Sequence, residues 1–384
     1  MNTEIWAKRL LLNGKLTENT GIQWTENGPI PSSGSPGEGL SAAWVTEGLI
    51  DPHLHGGRGF DVMHPTLEGV AQWLDGLLRH GVSEVLPSVY TGPTEVMRQA
   101  MAVFHQAMAL QAQGELGGAH ISGIHLEGPF ISLNRLGAMD AHYVLPPSVS
   151  AYQNIVQGFE SMIRLVTLAP EEPGADELID HLLKNGVQVQ AGHTDAQFEQ
   201  AERAFERGVN GVCHFFNGIR GIHHREPGIL TSALLHDEIY AELIADMVHV
   251  HPGAARLICK NKGYEKIILI SDAVSTTSLP DGIYWDNGNR VTVLNGESRV
   301  EGGSLNGGGV YLLEGVRRMV RQAHVPIPQA LFMANQSARR CLGLTPPPCL
   351  IGLNDDLSLK WVAGSNWVLE DRLEEGLNDE LHRR

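Results

Sequence analysis

Short apolar runs that end in polar residues alternate along this chain with stretches of helical period. Eight runs are of the first kind: 44–55 "WVTEGLIDPHLH", 82–90 "VSEVLPSVY", 121–130 "ISGIHLEGPF", 162–170 "MIRLVTLAP", 187–195 "VQVQAGHTD", 208–217 "GVNGVCHFFN", 240–250 "YAELIADMVHV" and 266–274 "KIILISDAV". Each reads as a buried strand. Between them lie amphipathic stretches such as 66–80 "TLEGVAQWLDGLLRH" and 196–207 "AQFEQAERAFER", which read as helices. Alternating β and α elements imply a parallel sheet, and eight such units closing on themselves predict a (β/α)8 TIM barrel in the α/β class.

The ends break this rhythm. Residues 1–46 carry short alternating runs ("LLLNGKL", "GIQWTE") and a Pro/Gly/Ser-rich turn, "GPIPSSGSPGEG". Residues 344–384 include "TPPPCLIGLNDDLSLKWVAGSNWVLED", again β-like with turn signals. Both termini are therefore expected to build a small β-sandwich domain beside a catalytic barrel at 47–343. Residues 275–305 read as a hairpin inserted after the eighth strand.

Composition narrows the class. The 384 residues are 42% hydrophobic and 19% charged, which suits a large-cored globular protein. No apolar run reaches the roughly 18 residues that span a bilayer, so no membrane partner is expected. The start, "MNTEIWAKRLLLNGKL", does not read as a signal peptide. The four cysteines (Cys213, Cys259, Cys341 and Cys349) form no CxxC pair, which fits a reducing, cytoplasmic setting. A net charge of −16 repels polyanions and argues against nucleic acid as a partner. An anionic small substrate would need a local cationic pocket.

In a TIM barrel the active site sits at the C-terminal ends of the strands. The predicted strand ends carry His53 and His55, Glu127, His193, His214, His249 and Asp272. Side chains alternate along a strand, so His53 and His55 face the same way, into the barrel. A lone HxH or a lone strand-end Asp carries little weight. Six such residues (His53, His55, Glu127, His193, His214 and Asp272) on one rim are costly to bury unless metal or hydrogen bonds satisfy them. Imidazole and carboxylate together suit Zn²⁺, with Fe²⁺, Mn²⁺ and Co²⁺ as alternatives. Glu127, His193 and His214 make a His₂Glu set with an open position, and His53 and His55 could complete a second site, giving one or two ions per chain. Asp272 is then the natural general base. Asp51, His125 and Asp195 share parity with these residues and read as their supports.

The segments "GLIDPHLHGGRGFD", "GIHLEGPFIS", "AGHTDA", "CHFFNGIRGIHHREPGI" and "ILISDAVS" resemble the N-acetylglucosamine-6-phosphate deacetylases of the amidohydrolase superfamily, in order from about residue 47 to 343. "HLEGPF" combined with "REPG" separates this branch from hydantoinases and dihydroorotases, which commonly use a carboxylated lysine on the fourth strand. Here "TLAPEEPG" has no lysine there. The resemblance implies removal of an acetyl group from N-acetylglucosamine-6-phosphate, with Glu127, His193 and His214 as metal ligands and Asp272 as the catalytic aspartate. It implies that Asn217 and Gly218 hold the sugar phosphate and that His249 touches the substrate. It also implies a homodimer in which Arg225 reaches the phosphate in the neighbouring subunit. After "EGPF" the family shows a glycine–small–histidine triplet whose histidine contacts the sugar. This chain has Gly137-Ala138-Met139, so either His142 substitutes or the contact is absent. The galactosamine epimer and other amide hydrolyses stay open as alternative reactions.

Overall fold

The computed structural model describes residues 4–370 and Leu373, apart from Asn27, Ser35, Pro36, Glu38 and Asn287. Eight parallel strands follow one another in chain order around a barrel: Leu49–Leu54, Val82–Tyr90, Ile124–Glu127, Ile163–Leu168, Gln188–Ala191, Gly211–Val212, Tyr240–Ile244 and Ile267–Ile270. The first and last are joined at their C-terminal ends, where Asp272 N–H donates to His53 O at 3.0 Å and His55 N–H to Ala273 O at 2.6 Å.

The helices form for the reasons the periodicity suggests. Leu67–Arg79 buries Val70, Trp73, Leu74, Leu77 and Leu78 on one face, and its first turn is capped by the Thr66 hydroxyl, which accepts from Gly69 N–H. Phe198–Arg207 buries Ala201, Ala204 and Phe205 and ends at Gly208.

The barrel interior changes character along its axis. Its lower layer is apolar, with Ile50, Leu86, Leu165 and Ile268 packed against Ala338, Cys341 and Leu342 of the helix Gln336–Leu342. Its upper layer is polar and equally buried: His53, His125, Glu127, Thr167 and Glu242. Such a layer is tolerated only where its members satisfy one another or a ligand.

The terminal segments join in one seven-stranded sheet, ordered Val368–Leu369, Leu359–Gly364, Cys349–Leu353, Leu40–Glu47, Ile5–Leu12, Lys15–Thr25 and Gly28–Ser32. Ile5, Ala7, Leu10, Val45, Leu350 and Trp361 form its own apolar cluster, separate from the barrel core. Two local readings are corrected. The run 44–55 is two strands, because the chain leaves the terminal sheet at Glu47 and enters the barrel at Leu49, and both environments demand apolar residues. Part of the Pro/Gly/Ser-rich turn is a strand, Gly28–Ser32, at the sheet edge. Pro29 and Pro31 are tolerated there because an edge strand needs hydrogen bonds on one side only. The expected sandwich segment beyond residue 370 lies outside the described residues, apart from Leu373.

The insertion after the eighth strand is a three-stranded antiparallel sheet, Gly282–Asp286, Asn289–Leu294 and Glu297–Val300, that overhangs the C-terminal mouth. Asp286 pins it to the barrel, accepting from the Ser275 hydroxyl at 2.5 Å and from the Asn306 amide at 2.8 Å.

Candidate active site

Three site residues lie just past the ends of their strands in left-handed backbone: His193 (φ 47°), His214 (φ 25°) and Asp272 (φ 50°). Such conformations cost on the order of 1 kcal/mol each and cluster where function over-determines them. Gly218 (φ 58°) and Gly137 (φ 61°) pack against the same group, since a Cβ on either would lie 3.1 Å from the His193 ring. A side chain at either position would require the His193 ring to give by a few tenths of an ångström.

The histidine tautomers follow from their outer partners. Nδ1 of His193 donates to Arg135 O at 2.8 Å, Nδ1 of His214 to Asn217 O at 2.9 Å and Nδ1 of His55 to Ser88 O at 2.9 Å. Nδ1 of His53 donates to the Glu242 carboxylate at 3.0 Å. Carbonyl and carboxylate oxygens only accept, so in the neutral imidazole each Nε2 is left as a lone pair. All four lone pairs converge. His193 Nε2 and His214 Nε2 stand 3.1 Å apart and lie 3.3 and 3.0 Å from Glu127 Oε1. His53 Nε2 and His55 Nε2 stand 3.3 Å apart; the first lies 3.3 Å from Glu127 Oε1, the second 3.3 Å from Glu127 Oε2. Asp272 Oδ1 is 3.2 Å from His55 Nε2 and 3.6 Å from His53 Nε2.

Lone pairs facing lone pairs and carboxylates at these distances repel unless cations lie among them. The donor set therefore fits divalent metal, in two groups: Glu127, His193 and His214, and His53, His55 and Asp272. Protonation behaviour points the same way. Burial alone would lower His53 and His55, yet both are raised, His55 by its hydrogen bond to Asp272 and then by the charge of Glu127, which also acts on His53. Cys213 does not supply that charge, because burial pushes its thiol well up and keeps it neutral. Against the same burial, the facing imidazoles hold Glu127 well below the ordinary carboxylate range and Asp272 below it.

The supports separate into two kinds. His125 lies under His53, bridging the Ser88 and Thr167 hydroxyls at 2.9 Å each, and burial holds it well below the usual histidine range. Asp51 Oδ1 lies beneath the first strand end, accepting from Ser271 N–H at 3.3 Å. Asp195, in contrast, stands on the rim between two cations, accepting from Arg135 Nε at 2.8 Å and from Arg220 at 2.8 Å.

Above this floor opens a cavity of about 360 Å³, within the range of small-molecule sites. Asn217, Gly218 and His249 line it, as do Asp61, Tyr90 and, from the overhanging sheet, Asp286. His249 lies beyond the seventh strand, which stops at Ile244, and its Nδ1 donates to Asp246 at 2.7 Å. Burial opposes charge on His249, but the Asp246 hydrogen bond and charge raise it. Met139 lines the cavity, whereas His142 is exposed and stacks edge-on against Tyr143, outside the lining. Arg225 is also exposed, on the loop with His223 and His224, and is absent from the cavity wall of its own chain.

Residues that the sequence reading passed over are Glu242, Asp246, Asp61, Tyr90 and Asp286. An acidic residue in the middle of an apolar parallel strand, as in "YAELIAD", is a usable signal for the first. Nothing local marks Asp286, which is brought over the mouth by the inserted sheet.

A constellation of donors that fits divalent metal, at the C-terminal mouth of a parallel barrel, defines a class, and residues 44–347 match the Amidohydrolase family model. The chain belongs to the amidohydrolase family. Within it, the chain is 33% identical to the N-acetylglucosamine-6-phosphate deacetylase of Vibrio furnissii, over 83% of this chain and 81% of that one. It is 34% identical to the N-acetylgalactosamine-6-phosphate deacetylase of Escherichia coli O157:H7, over 82% of each. The crystal structure of N-acetyl-D-glucosamine-6-phosphate deacetylase from Mycobacterium smegmatis superposes with a TM-score of 0.87 at 28% identity, covering 96% of this chain and all of that one.

Proposed function

We propose that this chain is a metal-dependent deacetylase that hydrolyses N-acetylglucosamine-6-phosphate to glucosamine-6-phosphate and acetate. The observation that carries the reading is the convergence of four bare imidazole nitrogens, Glu127 and Asp272 under a sugar-sized cavity. The relatives named above, which act on N-acetylated amino-sugar phosphates, give the substrate class.

Glu127, His193 and His214 would hold a divalent ion, Zn²⁺ by the chemistry of the set, and His53 and His55 a second. Such an ion supplies Lewis acidity and brings water into the range where it ionises near neutral pH. Asp272 accepts the proton of the attacking water and directs it at the acetamido carbonyl, then returns that proton to the leaving amine. His249, fixed by Asp246, donates from Nε2 to the oxygen on which charge develops. Asn217 and the Gly218 N–H receive the phosphate. The described cavity wall carries no lysine or arginine, which supports a homodimer in which Arg225 reaches the partner's phosphate. Among the described residues no helix is long and apolar enough to cross a membrane. With its free cysteines, this favours a cytoplasmic enzyme of amino-sugar metabolism.

The deciding assay is acetate release across a panel of N-acetylated sugars, with and without 6-phosphate, on metal-quantified protein. Preference for the 6-phosphorylated glucosamine derivative is expected, and no acetate from any member would overturn the reading. Met139 in the sugar wall favours one second reading, the galactosamine epimer, which the same panel separates.

A further inference from the structure

Asp195 lies on the rim, outside the cavity wall, and its one carboxylate serves two loops. Oδ1 accepts from Arg135 Nε at 2.8 Å and lies 2.6 Å from Arg135 Nη2, while Oδ2 accepts from Arg220 Nη2 at 2.8 Å. Arg220 Nε also donates to the Asp195 main-chain carbonyl, at 3.0 Å. Arg135 follows the third barrel strand and Arg220 the sixth. An amide in place of the carboxylate could accept from only one of the two guanidinium groups. The segment around Asp195 also runs beside both ends of the loop that carries Arg225. Before that loop, Thr194 N–H donates to Gly218 O and Arg220 N–H to Thr194 O, each at 3.2 Å. After it, Ile229 N–H donates to Ala196 O at 3.3 Å and Gly228 bridges to Gln197. Residues 221–226 between these anchors are exposed. The Arg220 stem lies across the far anchor, since a Cβ on Gly228 would fall 2.9 Å from Arg220 Cδ. Asp195 holds the other end of that side chain, so the stem cannot swing clear.

We propose that Asp195 and Arg220 are positioning residues for phosphate recognition, fixing both ends of the loop whose Arg225 reaches the partner's phosphate. The inference rests on the reading of Arg225 above and adds to it what holds that arginine in place. An exposed loop left free at one end would have to be ordered when phosphate binds, at about 1–2 kcal/mol per residue in backbone entropy. Anchoring both ends on folding removes most of that freedom before the ligand arrives. The rival role for the same residues is support of His193, whose Nδ1 donates to Arg135 O at 2.8 Å. That bond, however, comes from the main chain of Arg135. Ser132 N–H, donating to His193 O at 2.8 Å, ties the same segment to the histidine without the carboxylate. Loss of the brace should therefore reach the phosphate before it reaches the metal.

The test is steady-state kinetics of the full chain on N-acetylglucosamine-6-phosphate and on unphosphorylated N-acetylglucosamine, with bound metal measured on each sample. The readout is the ratio of kcat/KM between the two sugars. Asp195→Asn and Arg220→Gln should each lower that ratio about 3–10-fold, through a higher KM for the phosphorylated sugar. Metal content at the wild-type level reports that the barrel has folded. Arg220→Gln combined with Arg225→Ala should show the ratio of Arg225→Ala alone, because a brace acts only through the residue it positions. An unchanged ratio in both brace variants would overturn the inference and leave the deacetylase reading intact. Equal losses on both sugars with weakened metal binding would also overturn it, making the brace a support of His193. A further fall of the ratio in the double variant would give Arg220 a phosphate contact of its own and end the positioning role. Wild type that releases acetate from neither sugar would overturn the deacetylase reading and the inference together.

Discussion

Asp272 Oδ1 lies 3.2 Å from His55 Nε2, and the two residues are also tied through the main chain, because His55 N–H donates to the carbonyl of the next residue, Ala273, at 2.6 Å. The seam that closes the barrel therefore sets the distance between the proposed base and the first-strand histidine. Asp272→Asn keeps the shape of the side chain and removes its basicity. Acetate release should fall by about 10²–10⁴-fold, the usual share of a positioned general base. Metal analysis on the same sample should still find the ion of Glu127, His193 and His214. Activity within tenfold of wild type would remove Asp272 from the role of base.

Chelation should both inactivate and destabilise the protein. An ion that binds the folded state at a hundred times its dissociation constant contributes about 2.7 kcal/mol, so stripping it should lower the melting temperature. Re-addition should restore both properties. Glu127→Ala, which takes away the carboxylate that all four Nε2 atoms face, should show the lower melting temperature with or without added metal. Equal melting curves for stripped and loaded wild type would count against the ion as part of the fold.

Gly218 tests the geometry without touching a ligand. Its left-handed backbone would cost an L residue roughly 1–2 kcal/mol. The added Cβ would also press on His193 Nδ1, which donates to Arg135 O. Gly218→Ala should weaken the first ion and lower kcat together. An unchanged metal titration would show that the loop can move away from the histidine at little cost.

The pH dependence of the His249–Asp246 pair has a definite sign. Asp246 raises His249 above 6.5, so the stability that this histidine contributes is complete below 6.5 and is lost as pH rises through its folded value. His249 in turn leads the effects that lower Asp246 below 3.8 against burial, so the aspartate's contribution is present above 3.8 and is lost as pH falls through its folded value. The pair is therefore ionised throughout the interval between 3.8 and 6.5. Asp246→Asn should move the His249 midpoint, followed by the proton resonances of its ring, to lower pH. A midpoint that stays in place would assign the raised value to other charges.

Arg225 should matter only where there is a phosphate to hold. Arg225→Ala should raise KM for the 6-phosphorylated sugar by about 10–100-fold, the worth of a hydrogen bond to a charged group. The unphosphorylated sugar should be unaffected. Equal losses on both would dissociate this arginine from the phosphate.

The eight strands and their polar ends were legible because a parallel barrel buries its strands on both faces and places its chemistry at one rim. Length and apolar content locate the strands, and the residue that ends each run shows what the rim carries. His53, His55, Glu127, His193, His214 and Asp272 could all be read in this way. Their nearness could not, since spacing along one strand says nothing of the angle between two. Asp195 illustrates the limit. Parity alone allowed it to face inward beside His193, but the strand stops at Ala191 and the chain turns at His193, which carries Asp195 out to Arg135 and Arg220. The position of His142 was equally illegible: its short helical turn, Ala141–Tyr143, leaves the residue exposed while Met139 lines the cavity wall.

The sequence by itself determined the fold class and the candidate ligands, because periodicity and the identity of strand-end residues are local properties, whereas the substrate class was implied only by the resemblance of its longer motifs to a known family. Tertiary structure alone decided the protonation pattern, since the outer partners Arg135 O, Asn217 O, Ser88 O and Glu242 come from segments far from the histidines they orient or turn back on them through a loop. It also decided that the inserted sheet, pinned through Asp286 to Ser275, roofs the cavity. A lone pair is aimed by the hydrogen bond on the other side of the ring, and which residue supplies that bond is fixed only when the barrel closes.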